Sequence, residues 1–204
     1  MNIALRFAAP SDAASLLEIY RPYVESTTVS LEYNVPTETE FAGRIREFSA
    51  EFPYIVCEID GIIAGYAYAH RYKERFGYRF AAETTVYLCG KYRGMGLGKR
   101  LYGAIFELLT LMGFKNLYAI VTGENSASID FHNSVGFTEI GREHKNGFKL
   151  GRWVDVVLFE KQIGECKNSD DTAEWQICPK SIHELGSRCD EILKKYEKWD
   201  EAKK

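Results

Sequence analysis

The chain has 204 residues, 46% of them apolar and 27% charged, with a net charge of −3. That length carries one domain with a sizeable core, and the balance is that of a globular chain. The slight negative charge offers no broad basic face for a nucleic-acid backbone, and no apolar run approaches the ~20 residues of a membrane span.

The opening Met1-Asn2-Ile3-Ala4-Leu5-Arg6 lacks the apolar stretch of a signal peptide, so cytoplasmic residence is expected. Residues 2–8 alternate apolar and polar, which predicts a first strand. Ser11 or Asp12 is placed to cap a helix running to about Val24, with Ala13, Leu16, Leu17, Ile19 and Tyr20 on its buried side. Thr37-Glu38-Thr39-Glu40 has the form of a capping box and predicts a second helix carrying Phe41, Ile45 and Phe48. Two strand-like runs, 54–59 and 62–70, are joined by Asp60-Gly61, a hairpin signal. A third run covers 82–88. A helix over 99–112 follows, with Leu101, Ile105, Leu108 and Leu109 at helical spacing and Gly113 as its cap. Residues 117–121 read as a buried strand, and Ser126 starts a short helix ending near Gly136. Residues 137–141 and 153–159 are the last strands, with a polar connection between them. The order β-α-α-β-β-β-α-β-α-β-β predicts a mixed sheet flanked by helices.

Composition changes after about Gly164, which divides the chain into a domain over 1–163 and a charged extension over 164–204. In the extension Ile182, Leu185, Cys189, Ile192, Leu193 and Tyr196 recur at helical spacing, so an amphipathic helix with a frayed end is expected. Its apolar stripe packs either on its own domain or on a partner, with a mostly disordered tail as the third reading. The five cysteines are odd in number and form no C-x-x-C pair, which argues against a disulfide framework and a zinc site; no metal is expected. Cys57 and Cys89 read as buried thiols. A nucleophilic Cys89 needs a base beside it.

The turn Arg93-Gly94-Met95-Gly96-Leu97-Gly98 lies between a strand and a helix. A glycine-rich turn at a helix entrance exposes N–H groups without intrahelical partners, at the positive end of the helix dipole. It is either an anion site for a phosphate or a plain tight turn.

Its context is specific. Arg93-x-x-Gly96-x-Gly98 follows Glu83-Thr84-Thr85-Val86-Tyr87-Leu88 and precedes Asn125-Ser126-Ala127-Ser128 with His132 and Gly136-Phe137. With Ser26-Thr27-Thr28-Val29-Ser30-Leu31-Glu32, Gly65-Tyr66-Ala67-Tyr68-Ala69 and the run from Gly147 to Asp155, these segments resemble the GNAT superfamily of N-acetyltransferases, and most closely its phosphinothricin N-acetyltransferase branch. The resemblance covers residues 1 to about 163. It implies the GNAT α/β (α+β) fold, acetyl-CoA as donor, a primary amine as acceptor and direct attack on the thioester. It implies Glu83 as the base that takes the ammonium proton, with an exposed anionic strand end as the plainer reading. It places His132 in the active site as acid, base or positioning residue, against a histidine packed in a helix interface. Backbone donors of Gly94, Met95, Gly96, Leu97, Gly98 and Lys99 are implied to cradle the pyrophosphate, and the Arg93 side chain either adds charge there or is solvated. Val86, Tyr87 and Leu88 are implied to meet the pantetheine as an added strand would, with Asn125 and Ser128 beside it.

For the acceptor, Arg75, Tyr78 and Arg79 precede Glu83, and an arginine there can hold a carboxylate by paired hydrogen bonds. Glu32 lies in the segment that resembles the branch's substrate lip, and Lys149, Arg152 and Trp153 lie in the late hairpin; residue by residue, each also reads as a surface or interface group. The cluster favours a small anionic or zwitterionic amine such as phosphinothricin, methionine sulfoximine or methionine sulfone, and the branch implies a homodimer. Two alternatives are a protein or peptide N-acetyltransferase, which needs an open groove, and a non-catalytic acyl-CoA sensor, which needs neither Glu83 nor His132.

Overall fold

The Asp60-Gly61 turn, with both residues at positive φ (50° and 80°), folds β2 (Tyr54–Ile59) back onto β3 (Ile62–Arg71). In this computed structural model, which describes residues 1–198, that hairpin is the start of a seven-stranded sheet. β1 (Ile3–Phe7) pairs antiparallel with β2 at one edge. β4 (Ala81–Leu88) pairs antiparallel with β3, and β5 (Asn116–Thr122) runs parallel to β4. A parallel pair needs a crossover, which α3 (Leu97–Met112) supplies. β7 (Arg152–Gln162) and the edge strand β6 (Thr138–Lys149) complete the order β1-β2-β3-β4-β5-β7-β6.

One face of the sheet is covered by α1 (Ala13–Ser26) and α2 (Glu38–Ser49), whose Leu16, Tyr20, Val24, Phe41 and Ile45 bury Tyr54, Val56 and Tyr66. Thr37 and Glu40 cap α2 reciprocally: Thr37 Oγ1 accepts from the Glu40 N–H at 3.2 Å and Glu40 Oε2 accepts from the Thr37 N–H at 2.7 Å. The expected Asp12 cap of α1 is not made. Its carboxylate turns back to the Ala9 N–H (2.8 Å) and the Arg6 guanidinium (2.7 and 2.9 Å), a stronger, charge-assisted pair. The other face is covered by α3, with Leu101, Ile105, Leu108 and Leu109 buried, and by α5 (Arg188–Glu197). α4 (Ser126–Ser134) lies between β5 and β6 in the chain.

Two of the boundaries that differ from expectation have a clear cause. α3 begins two residues early, at Leu97, because Gly96 at φ +73° serves as its N-cap. The polar connection before β7 is mostly strand: β6 reaches Lys149, and the link shrinks to Leu150-Gly151, both at positive φ.

Ile182, Leu185, Cys189, Ile192 and Leu193 join the same core as α3 and the sheet, so the extension packs on its own chain. Its backbone is also tied down. Ile182 N–H donates to the Glu51 carbonyl (3.0 Å) and Lys180 N–H to Met112 (2.8 Å), and Arg100 Nη1 donates to the Tyr196 and Glu197 carbonyls (2.8 Å each). The expected frayed end lies partly in 199–204, outside the described residues.

Candidate active site

Parallel pairing between β4 and β5 stops at Glu83 opposite Tyr118. Beyond it the strands diverge: residues 84–88 keep only β3 as a partner, while Ala119 to Val121 pair with β7. A cavity of about 390 Å³ fills the wedge. Thr84, Thr85, Val86, Tyr87 and Leu88 form one wall, Ala119, Ile120 and Val121 the other, and Tyr102, Phe131 and His132 also line it. Arg93, Gly94, Gly98, Asn125 and Ser128 line it as well. An unpaired strand edge presents free backbone donors and acceptors, which an extended amide-bearing chain can pair.

The turn leading into α3 is built by two glycines in the left-handed region, Gly94 at φ +76° and Gly96 at φ +73°. They carry the 93–99 backbone into the first turn of α3, where N–H groups lack helical partners. Leu97 is buried, so it offers the site only its backbone, whereas Met95 is exposed and Lys99 half-buried. Gly98 has a different reason: a Cβ there sits 3.0 Å from the Phe131 ring, so its absence lets α4 close on α3. The Arg93 guanidinium lies over the Tyr23 ring at 5.2 Å, and the Tyr23 hydroxyl donates to the Leu88 carbonyl at 2.6 Å. Asn125 caps α4 by accepting from Ser128 N–H at 3.3 Å and also lines the cavity.

Side chains alternate along β4. Ala82, Val86 and Leu88 face the α3 core, and Tyr87 faces α1 and α2. Glu83, in step with Tyr87, therefore lies on the opposite side of the strand from Thr84, Tyr102 and His132. The two expected catalytic groups flank β4 from its two faces. Burial pushes the Glu83 carboxyl up, and His70, with Nε2 3.7 Å from Glu83 Oε1, partly counters it.

His132 is 4% exposed, its ring against Phe137 and stacked on Phe159. Its Nδ1 contacts the Ser128 carbonyl at 2.8 Å; a carbonyl only accepts, so Nδ1 carries the proton. Nε2 then faces the Tyr102 hydroxyl at 3.2 Å. Burial lowers the His132 pKa, which keeps the imidazole neutral and Nε2 free to accept. The Tyr102 hydroxyl also reaches the Thr84 carbonyl at 3.2 Å, so its single hydrogen is shared between two acceptors, and burial raises its pKa, so it stays protonated. Sequence reasoning misses Tyr102 because it sits in the buried stripe of α3. The available signal is a tyrosine in a fully apolar stripe, whose hydroxyl must find a partner.

The acceptor side is partly assembled. Lys149 is buried and donates to the Ser30 carbonyl at 2.6 Å, which joins the late hairpin to the 28–33 lip. Glu32 accepts two hydrogen bonds from Arg44 of α2, at 2.6 and 3.3 Å, a partner to which nothing in the sequence points. Arg75 and Tyr78 are exposed around a short turn, Tyr78 beneath the Lys73 ammonium at 4.8 Å. The Arg79 guanidinium donates to the Ile177 (2.7 Å) and Trp175 (2.9 Å) carbonyls and lies over Phe76 and Phe80, which ties the extension to this turn. Cys57 is a buried thiol pushed up to about 11 by burial, and Cys89 is half-buried beside the turn. Among the described residues no group of three or more His, Cys, Asp or Glu is placed to hold a metal, and no helix is long and apolar enough to cross a membrane.

The family model described as Acetyltransferase (GNAT) domain matches residues 5–158. The phosphinothricin N-acetyltransferase of Streptomyces viridochromogenes is 30% identical over 79% of this chain and 88% of its own. The L-methionine sulfoximine/L-methionine sulfone acetyltransferase of Salmonella typhimurium is 30% identical over 80% of this chain and 96% of its own. Among solved structures, a phosphinothricin acetyltransferase from Sinorhizobium meliloti in complex with AcCoA superposes with a TM-score of 0.78 at 34% identity, over 83% of this chain and 95% of that one. A cavity between diverging strands, a glycine turn leading into a helix, and a match over most of the chain agree: this protein belongs to the GNAT family of acetyltransferases.

Proposed function

We propose that this protein transfers the acetyl group of acetyl-CoA to the primary amine of a small amino-acid-like acceptor, of the phosphinothricin or methionine sulfone type. The observation that carries the reading is the wedge between β4 and β5, which closes at Glu83 and holds the turn of α3 among its lining. The free edge of residues 84–88 suits a pantetheine amide chain, and the backbone donors from Gly94 on into α3 suit a pyrophosphate. The donor supplies an activated acyl group as a thioester. Glu83 takes the ammonium proton, because only the free amine is nucleophilic, and its raised pKa suits that task near neutrality. A β4 N–H among residues 86–88 polarises the thioester carbonyl. His132 acts as a positioning residue: its Nε2 and the Thr84 carbonyl share the single Tyr102 hydroxyl hydrogen and hold that group at the cavity wall.

A small acceptor is supported by the clamp over the lip, where Lys149 holds Ser30 and the Tyr33 hydroxyl donates to the Phe148 carbonyl. A peptide needs that side open. Arg75 and Tyr78 remain the candidates for the acceptor's carboxylate, with Glu32 and Lys149 shaping the lip. A homodimer belongs to the same reading and is supported by Phe148, Leu150 and Trp153, exposed together at the hairpin tip.

Thiol release from acetyl-CoA with a panel of amino acids, methionine sulfone, phosphinothricin and short peptides tests the assignment. Small zwitterionic amines are expected to turn over and peptides not. Glu83→Gln is expected to lower kcat/KM by about 10²–10³-fold. Tight acetyl-CoA binding without turnover of any amine sinks the catalytic reading, and full activity of Glu83→Gln sinks the base.

A further inference from the structure

We propose that His70 is a positioning residue for this reaction: it holds the Glu83 carboxylate in place and carries its proton onward to solvent. The inference rests on Glu83 as the base.

His70 and Glu83 are directly opposed across the β3–β4 ladder, so their side chains leave the sheet side by side on one face. Nδ1 of His70 lies 3.0 Å from the Arg71 carbonyl. A carbonyl cannot donate, so Nδ1 carries a hydrogen, and Nε2 is the nitrogen turned to Glu83 Oε1 at 3.7 Å. If the imidazole is neutral and the carboxylate ionised, two lone pairs oppose each other. One proton between them removes the conflict and makes a charge-assisted hydrogen bond after a small closing rotation. The ring plane is fixed from the other side by Phe48, stacked at 5.2 Å and 22°. The His70 side chain keeps 26% exposure against 19% for Glu83, so the pair runs from the closed end of the wedge toward water.

The other charged and titratable groups around the pair are engaged or neutral. Tyr68 of β3 stays protonated through burial and bonds to Thr85. Arg71 pairs with Glu51 at 3.1 Å. Arg44 of α2 pairs with Glu32, and Tyr102 of α3 bonds to Thr84 and His132. His70 is therefore the group that balances Glu83, and burial of Glu83 without it raises the carboxyl further.

The proton path balances. The acceptor's N–H bond breaks and its electron pair stays on nitrogen, while an O–H bond forms on Glu83. Nε2 of His70 gives the shared proton to water and takes the O–H proton in its place, so the pair ends with the one proton it began with. One proton leaves for each amide formed, and Glu83 returns as a carboxylate.

The test compares wild type with His70→Phe, which keeps the ring and its stack, and His70→Gln, which keeps a hydrogen-bonding group but takes up no proton. The acidic limb of kcat/KM against pH is expected to move up by about one unit in His70→Phe. At neutral pH kcat is expected to fall by about 10-fold or more, with the acceptor KM changed by less than about 2-fold. His70→Gln should restore part of the limb position but not kcat. The Glu83 carboxyl titration, followed by 13C NMR on the full chain, should move up in parallel without reference to turnover. In the Glu83→Gln background His70→Phe should have no further effect. A folded His70→Phe with an unshifted limb and an unshifted Glu83 titration overturns the inference while leaving Glu83 as base. If His70→Phe does not fold, the same two readings on His70→Gln decide, because loss of the imidazolium partner must move both. Full activity of Glu83→Gln instead removes the base, and the inference with it.

Discussion

His132 shows how one residue's surroundings decide its state. Its two ring nitrogens are committed to the Ser128 carbonyl and the Tyr102 hydroxyl, and burial lowers its pKa. In the unfolded chain the imidazole titrates near its ordinary value of about 6.5. As pH falls below that, the unfolded chain takes up a proton the folded one refuses, so the stability present above ~6.5 is lost toward and through the lower folded value. His132→Phe keeps the stack on Phe159 and leaves the Tyr102 hydroxyl with Thr84. Its Tm is expected to fall less than that of wild type between pH 7 and pH 5, by about 2–4 °C for each kcal/mol of linkage removed. Parallel Tm–pH curves would show that His132 charges freely in the folded protein. The neighbouring residues differ in how far sequence reveals them. Glu83 and the 93–98 turn are legible because their meaning lies in local order along the chain. Arg79 and Arg44 are not, since their partners lie at Ile177 and Trp175 and at Glu32, and only folding brings them together.

Elements are legible where one face is buried and obscure where neither is. α2 announces itself by its capping box and apolar stripe, and the β2–β3 hairpin by Asp60-Gly61. The second part of β6 does not, because Arg142 to Asn146 lie at the sheet edge exposed on both faces. Glycines need the same positional reading. Gly43 lies inside α2, and a Cβ there would have nothing within 4 Å, whereas Gly96 is held at φ +73°. Gly43→Ala is therefore expected to stabilise the protein by about 0.5–1 kcal/mol. Gly96→Ala is expected to cost about 1–2 kcal/mol of backbone strain. Because Gly96 caps the helix that presents the phosphate donors, Gly96→Ala should also raise the KM for acetyl-CoA and leave that of the acceptor alone. Urea melts with the two KM values check both. Equal effects of the two substitutions would mean that the turn's left-handed geometry carries no cost.

At the scale of the whole molecule, the family match ends at residue 158, yet the core continues through Ile182 to Leu193. The amphipathic spacing reveals the helix but not its partner, because the receiving surface is built jointly by α3 and β1, which only folding brings together. Its α3 side is shaped to fit: a Cβ at Gly103 would collide with the Tyr196 ring, whose hydroxyl donates to Glu107 at 3.1 Å. Lys195 pairs with the same carboxylate at 2.6 Å. Gly103 lies inside a 16-residue helix, where glycine is otherwise worse than alanine by about 0.5–1 kcal/mol. Two opposing effects therefore meet at one position, and their order depends on Tyr196. In the wild-type chain Gly103→Ala forces the ring out and is expected to cost about 1–3 kcal/mol. In a Tyr196→Ala background the ring is gone, and the same Gly103→Ala should stabilise instead. Four Tm values, for wild type, both single variants and the double, read this change of sign as a coupling energy. If Gly103→Ala has the same effect in both backgrounds, α5 does not dock on α3 in solution, and the core ends where the family match does.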